Sequence, residues 1–130
     1  MKEAMTTWNT DDLAALDRPD EVEITSLRQD GTARSYRIIW GVRLDDDFYV
    51  RSVRGPDAAW FRGTRTRHEG RVRAGGTEYD VSFVDVDDAV LNGRIDAAYR
   101  EKYRRYSSPV QSITSREARS ATLKLVPRAR

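Results

Sequence analysis

The 130-residue chain has no cysteine, which excludes a disulfide framework, a thiolate-bound metal and a cysteine nucleophile. It has one histidine, His68, so no two-histidine metal site can be built. Neither paired catalytic carboxylates nor a Ser-His-Asp set emerges from the spacing. No stretch approaches the roughly 20 apolar residues of a membrane span, and MKEAMTTWNTDD lacks a basic segment followed by an apolar run. These absences point to a cytoplasmic protein without a membrane partner. Lysine is scarce too: 20 of the 23 basic residues are arginine, whose guanidinium forks onto phosphate and carboxylate and stacks on flat rings. Formal net charge is only +2, with 21 acids interspersed and no basic tract interleaved with aromatics, so no nucleic-acid partner is expected. With 38% hydrophobic residues the chain can pack a core and is not a disordered composition. Its length fits one domain over residues 1–130.

Thr10, Asp11 and Asp12 ahead of Leu13 to Leu16 predict a capped N-terminal helix ending near Asp17 to Pro19, a covering segment within residues 1–19. From Glu21 the period becomes two, and Val22, Ile24 and Ser26 share one face of a first strand. Gln29-Asp30-Gly31 supplies a turn into a second strand from Tyr36 through Trp40 to Leu44. The acidic turn Asp45 to Asp47 returns the chain as a third strand, Phe48 to Val53. Gly55-Pro56 ends it, and Asp57 is placed to cap a short crossover helix carrying Trp60, Phe61 and Arg62. Gly75-Gly76 joins strands four and five, because both residues can take positive φ without a Cβ penalty. Val90, Leu91, Ile95, Ala98, Tyr99 and Tyr103 recur at helical spacing over 87 to about 105. After a short loop or helical turn, Ala121 to Val126 forms the last strand. The expected fold is α+β, a six-stranded antiparallel barrel with a crossover helix and a longer helix before the last strand.

This order of elements is that of the split barrel, and several segments sharpen the likeness. ITSLRQDGTARSYRIIW, with Gly31 and Arg34, resembles the entry hairpin of deazaflavin-dependent nitroreductases. FYVRSVRGPDAAWFRG, with Ser52, Gly55 and Trp60, resembles their third strand and crossover helix. GRVRAGGTEYDVSF resembles their next hairpin, while IDAAYREKYRRY and ATLKLVPR resemble the helix and final strand of pyridoxamine-phosphate-oxidase-like proteins. The likeness covers roughly residues 20 to 128 and extends to a small uncharacterised bacterial family of the same layout. Two positions depart from the nitroreductase pattern. Gln29-Asp30-Gly31 stands where that family has Ser-Gly-Lys, and Asp30 would repel an anionic tail; Gly63 stands in place of an asparagine.

The resemblance implies a small-molecule oxidoreductase holding FMN or the deazaflavin F420, with its cleft completed across a homodimer. It places Arg37, Arg51, Ser52, Arg54 and Arg62 where related proteins grip a cofactor's phosphate and ring, so that several guanidinium groups converge on one anion. Trp60 and Trp40 either flank a flat ring or serve core and interface packing. No catalytic residue is assigned. The same residues also read as solvated surface arginines, His68 as a loop residue, and Tyr99 and Tyr103 as packing on the barrel rather than forming a substrate lid. The alternatives are a cofactor-free enzyme such as a cyclase or isomerase, or a small-molecule binding protein on the same barrel.

Overall fold

The structure is a computed structural model that describes residues 7–128. Helix α1 (Thr10–Asp17) begins the described chain, and strands β1 (Val22–Ser26), β2 (Arg37–Ile39), β3 (Gly41–Leu44) and β4 (Asp47–Arg51) follow. A 3₁₀ turn at Gly55–Asp57 leads into α2 (Ala59–Arg67), then the hairpin β5 (Glu69–Ala74) and β6 (Thr77–Asp85). Helices α3 (Ala89–Lys102), α4 (Ser107–Ile113) and α5 (Arg116–Arg119) precede β7 (Thr122–Pro127). Most boundaries fall within a residue or two of those predicted. Asn9, not Thr10, caps α1 by accepting from the Asp12 backbone N–H at 2.8 Å. Asp57 does not cap α2, whose N-cap is Ala58. The stretch after Tyr106 carries two helices where one short loop or turn was expected.

All strand pairings are antiparallel, in the order β2-β1-β5-β6-β7-β4-β3. The two edges of this sheet are consecutive in the chain. The run expected as one strand through Leu44 breaks at Trp40, so its first half pairs with β1 and its second with β4. This gives seven strands instead of six and makes the sheet a nearly closed barrel whose remaining opening lies beside Trp40. A hairpin with both turn residues at positive φ, Gly75 at 57° and Gly76 at 84°, joins β5 to β6 as expected.

Two apolar clusters hold the fold. Leu16, Ile24, Phe48, Val50, Phe61 and Leu125 belong to the one inside the barrel. Val42, Tyr49, Ile95, Tyr99 and Ile113 form the other, between the outer side of β3 and β4 and helices α3 and α4. Strand β4 serves both, since Phe48 and Val50 join the first cluster and Tyr49 the second. This two-sided burial explains why it reads as a run of bulky residues and not as a strict alternation. Trp8 closes the barrel by donating its indole N–H to the Leu125 carbonyl at 2.9 Å, with its ring edge-on to Tyr79. No helix among the described residues is long and apolar enough to cross a membrane.

Candidate functional site

The β3–β4 ladder runs from Leu44↔Asp47 to Gly41↔Val50 and stops there. Beyond that pair the two chains part. Arg37, Ile38, Ile39 and Trp40 continue on one side, and Arg51, Ser52, Val53 and Arg54 on the other. All eight line a single cleft of about 680 Å³, closed off by Ala58, Ala59 and Trp60 from the start of α2 and by Pro109, Ser112 and Ile113 from α4. That volume is ample for a cofactor-sized ligand. The cleft is therefore the split of the barrel itself.

Five of the six residues expected to grip a cofactor stand on this lining: Arg37, Arg51, Ser52, Arg54 and Trp60. Their chemical states differ sharply. Arg51 is 1% exposed, and each of its five N–H groups is engaged. Nε donates to Thr122 Oγ1 at 2.9 Å, Nη1 to Asp96 Oδ1 and the Ile113 carbonyl, and Nη2 to the Asn92 carbonyl and Oδ1 at 3.1 and 3.0 Å. A guanidinium has no sixth donor, so the expectation that Arg51 grips a cofactor anion is corrected: it ties β4 to α3 and α4. Arg62 lies outside the cleft lining and donates to the Asp57 carbonyl at 2.6 Å across one turn.

Arg37 and Arg54 are exposed and, among the described residues, their side chains have no hydrogen-bond or ion-pair partner. Glu21 is the one carboxylate on the lining. Ser52 is 1% exposed, and its Oγ is the sole buried side-chain polar atom without a partner among the described residues. A buried hydroxyl left unsatisfied costs stability. Ser52→Ala is accordingly expected to leave the thermal midpoint of the free protein unchanged or slightly raised. A fall beyond about 4 °C, the shift of roughly 1 kcal/mol in a domain of this size, would reveal a bond that the structure lacks.

Trp40 stacks on Tyr103 with ring centroids 3.8 Å apart and planes 4° from parallel, and it also borders the cleft. It is thus a packing residue and a wall residue at once. Trp60 packs partly against the barrel core and reaches a smaller recess of about 270 Å³, which it shares with Arg37 and Ala59. That recess adjoins the first turn, where Arg28 donates to Thr32 Oγ1 and the Ala33 carbonyl. Arg34 donates to Ser26 Oγ, the Leu27 and Gly63 carbonyls and Thr66 Oγ1. Asp30 accepts from the Thr32 N–H and hydroxyl, bonds that hold its carboxyl below the usual range. Gly63, the departure from the asparagine pattern, leaves room for these groups: a Cβ there would lie 2.7 Å from Ser26 Oγ and 3.3 Å from Arg34 Cδ.

Burial pushes the Tyr99 and Tyr103 phenols well up. Tyr103 donates to the Asp20 carbonyl at 2.6 Å, and Tyr99 to the Trp40 carbonyl at 3.2 Å, so both pack on the barrel and neither forms a lid. Tyr36 is pushed up to about 12 by burial and by Glu78. His68 ends α2 at φ 58° and is not on the cleft lining. No group of three metal-ligating side chains occurs among the described residues. Sequence reasoning missed the lips Ile38, 63% exposed, and Val53, 48% exposed. It also missed the α4 wall, because nothing local in SSPVQSI announces a long-range partner.

The fold matches solved structures over most of both chains. A putative pyridoxamine 5'-phosphate oxidase from Listeria innocua aligns with TM-score 0.62 and 16% identity, covering 90% of this chain and 90% of that one. An F420-H2-dependent reductase aligns with TM-score 0.59 and 17% identity, covering 82% and 93%. HutZ, the heme storage protein of Vibrio cholerae, aligns with TM-score 0.68 and 10% identity, covering 93% and 91%. At these identities the likeness establishes the split-barrel fold. No curated protein matches the sequence. A family model matches residues 12–125, nearly the whole chain, and the chain therefore belongs to the family described as uncharacterized protein conserved in bacteria (DUF2255).

Proposed function

We propose that this chain is a small-molecule oxidoreductase of the split-barrel type that holds a flavin or deazaflavin ring in the cleft between β2 and β4. The observation that carries the reading is the cleft's make-up: a cavity of about 680 Å³ walled by Trp40 and Trp60, with a partnerless buried hydroxyl at Ser52 and two unpartnered guanidinium groups. Flat apolar walls with a few polar groups are what a ring-shaped cofactor needs. The residues present therefore fit such a group. Trp40 and Trp60 would hold the ring and keep water from it, and Ser52 would meet a heteroatom on its edge. The cofactor would supply hydride transfer. The reductase and the oxidase among the similar folds support the reading by analogy of scaffold.

The exposed apolar lips Ile38 and Val53 flank the opening of the cleft, and a second copy covering them would complete it as a homodimer. A monomeric mass at tens of micromolar protein would remove that part of the proposal.

Titration with FMN and with F420, followed by fluorescence quenching, tests the cofactor. Saturable binding of either is expected. Failure of both at high micromolar concentration would leave a cofactor-free enzyme or a binding protein on the same cleft.

A further inference from the structure

We propose that Tyr103 is the positioning residue of the cleft's tryptophan wall: its ring fixes the plane of the Trp40 indole, and the fit of a flat ligand depends on that plane. The inference rests on the reading above that Trp40 is a wall of the ligand cleft.

Trp40 stands at the corner between β2 and β3 and belongs to neither strand. The end of α3 grips this corner from behind. Tyr99 donates to the Trp40 carbonyl at 3.2 Å, and Lys102 donates to the Gly41 carbonyl at 2.8 Å. The Tyr103 hydroxyl accepts from the Gly41 N–H at 3.2 Å while it donates to the Asp20 carbonyl at 2.6 Å. These bonds fix the backbone of the corner, but they leave the indole its own side-chain torsions. The Tyr103 ring holds the indole itself, face to face, with centroids 3.8 Å apart and planes 4° from parallel. Tyr106 also reaches the indole, at 5.6 Å and 45°, and it is 37% exposed. It borders the indole without setting its plane. Tyr103 is buried and tied at its hydroxyl to Gly41 and Asp20, so it cannot follow a turning indole. It is not on the cleft lining, whereas Trp40 is. Tyr103 therefore acts on a ligand through Trp40.

The test labels the three tryptophans with 5-fluorotryptophan and reads Trp40 by fluorine NMR in the unliganded protein, its line identified by its loss in Trp40→Phe. The wild type and Tyr103→Phe, which keeps a stacking ring, should give one sharp Trp40 line. Tyr103→Leu should broaden or split it. Affinity for FMN and F420, measured by fluorescence titration, should follow the same order: about ten-fold weaker in Tyr103→Leu, the worth of one aromatic stack, and near wild type in Tyr103→Phe. Lys102 and Tyr99 still hold the two corner carbonyls in both variants. Val81→Ala, a buried position in β6, controls for stability. It should lower the urea midpoint and leave the Trp40 line and the affinity unchanged, and Tyr106→Leu should likewise keep the line sharp. Tyr103→Met, flexible enough to fill the space, replaces Tyr103→Leu if that variant does not fold. A further measurement needs no variant at position 103: the wild-type Trp40 ring protons should show the upfield ring-current shift of a face-stacked partner. If neither flavin binds, the cofactor reading falls and the fluorine line decides the role of Tyr103. A sharp, unmoved Trp40 line in Tyr103→Leu overturns the proposal, as does the lack of a ring-current shift. So does a line freed equally by Tyr106→Leu or Val81→Ala, or an affinity loss that Tyr103→Phe fails to rescue.

Discussion

Arg51→Met is expected to cost about 3–5 kcal/mol of stability, the usual penalty for breaking a buried ion pair from one side. The substitution removes five hydrogen bonds, but their number matters less than what they leave behind. Asp96 lies within the fold, with its side chain 7% exposed, and Arg51 and Arg119 are its two ion-pair partners, the latter at 3.2 Å. Without Arg51 its carboxylate must rely on a half-exposed arginine, and the Asn92 and Ile113 carbonyls lose their buried donor. Arg51 is also the joint at which β4 meets α3 and α4. Ile113 and Ser112 are part of the cleft wall, so a loosened α4 should weaken ligand binding beyond the stability loss. Urea unfolding of Arg51→Met, Asp96→Leu and the double variant will check this. The double variant should recover a large share of the loss, because no unpaired charge remains buried. A loss below about 1 kcal/mol for Arg51→Met would mean that the network is incidental.

The contrast between Arg51 and its neighbours shows what could be read from the chain. The hairpin at Gly75-Gly76 and the start of α3 at Asp88 are written in local chemistry, a pair of residues free to take positive φ and a carboxylate that accepts from the Leu91 N–H. Those elements appeared where the sequence put them. The break at Trp40 is marked only by Gly41, the glycine that opens β3 and lies against the Phe48 ring, and a lone glycine in a strand pattern does not say that the two halves go to different partners. It arises because β1 and β4, each second from an opposite end of the sheet, capture one half of the run apiece, and those halves become the edges β2 and β3. The candidate site was legible as a segment, with the third strand's end and the crossover helix supplying its wall. Which arginine does what was not legible. Arg51 and Arg54 sit three apart in RSVR, yet one is sealed by acceptors 41 to 71 residues later and the other faces the cleft alone. Long-range partners decide that, and residue type does not reveal them.

Gly70→Ala is expected to destabilise the protein by roughly 3 kcal/mol, toward the upper end for overpacking, because the obstruction includes backbone. Gly70 lies in β5, opposite Ser26 of β1 on one side and Val81 of β6 on the other. A Cβ placed on it would overlap the Thr25 carbonyl oxygen and come within 2.7 and 2.8 Å of the Phe83 ring. Phe83 is itself buried at 3% exposure and cannot swing away into solvent. The strand pair must therefore separate, and β1 is the strand that carries β2, the lip bearing Arg37 and Ile38. A methyl group added on the far side of β1 from the cleft should thus reach the cleft through two pairings. Its signature is combined: a lowered urea midpoint with weaker binding of the proposed cofactor in the fraction that remains folded. Gly75→Ala, in the open hairpin where a Cβ meets no atom within 4 Å, should cost only the strain of a positive φ, about 1 kcal/mol, and leave binding unchanged. If the two variants prove equally mild, the close approach of β1 and β5 at Gly70 does not set the position of the β2 lip.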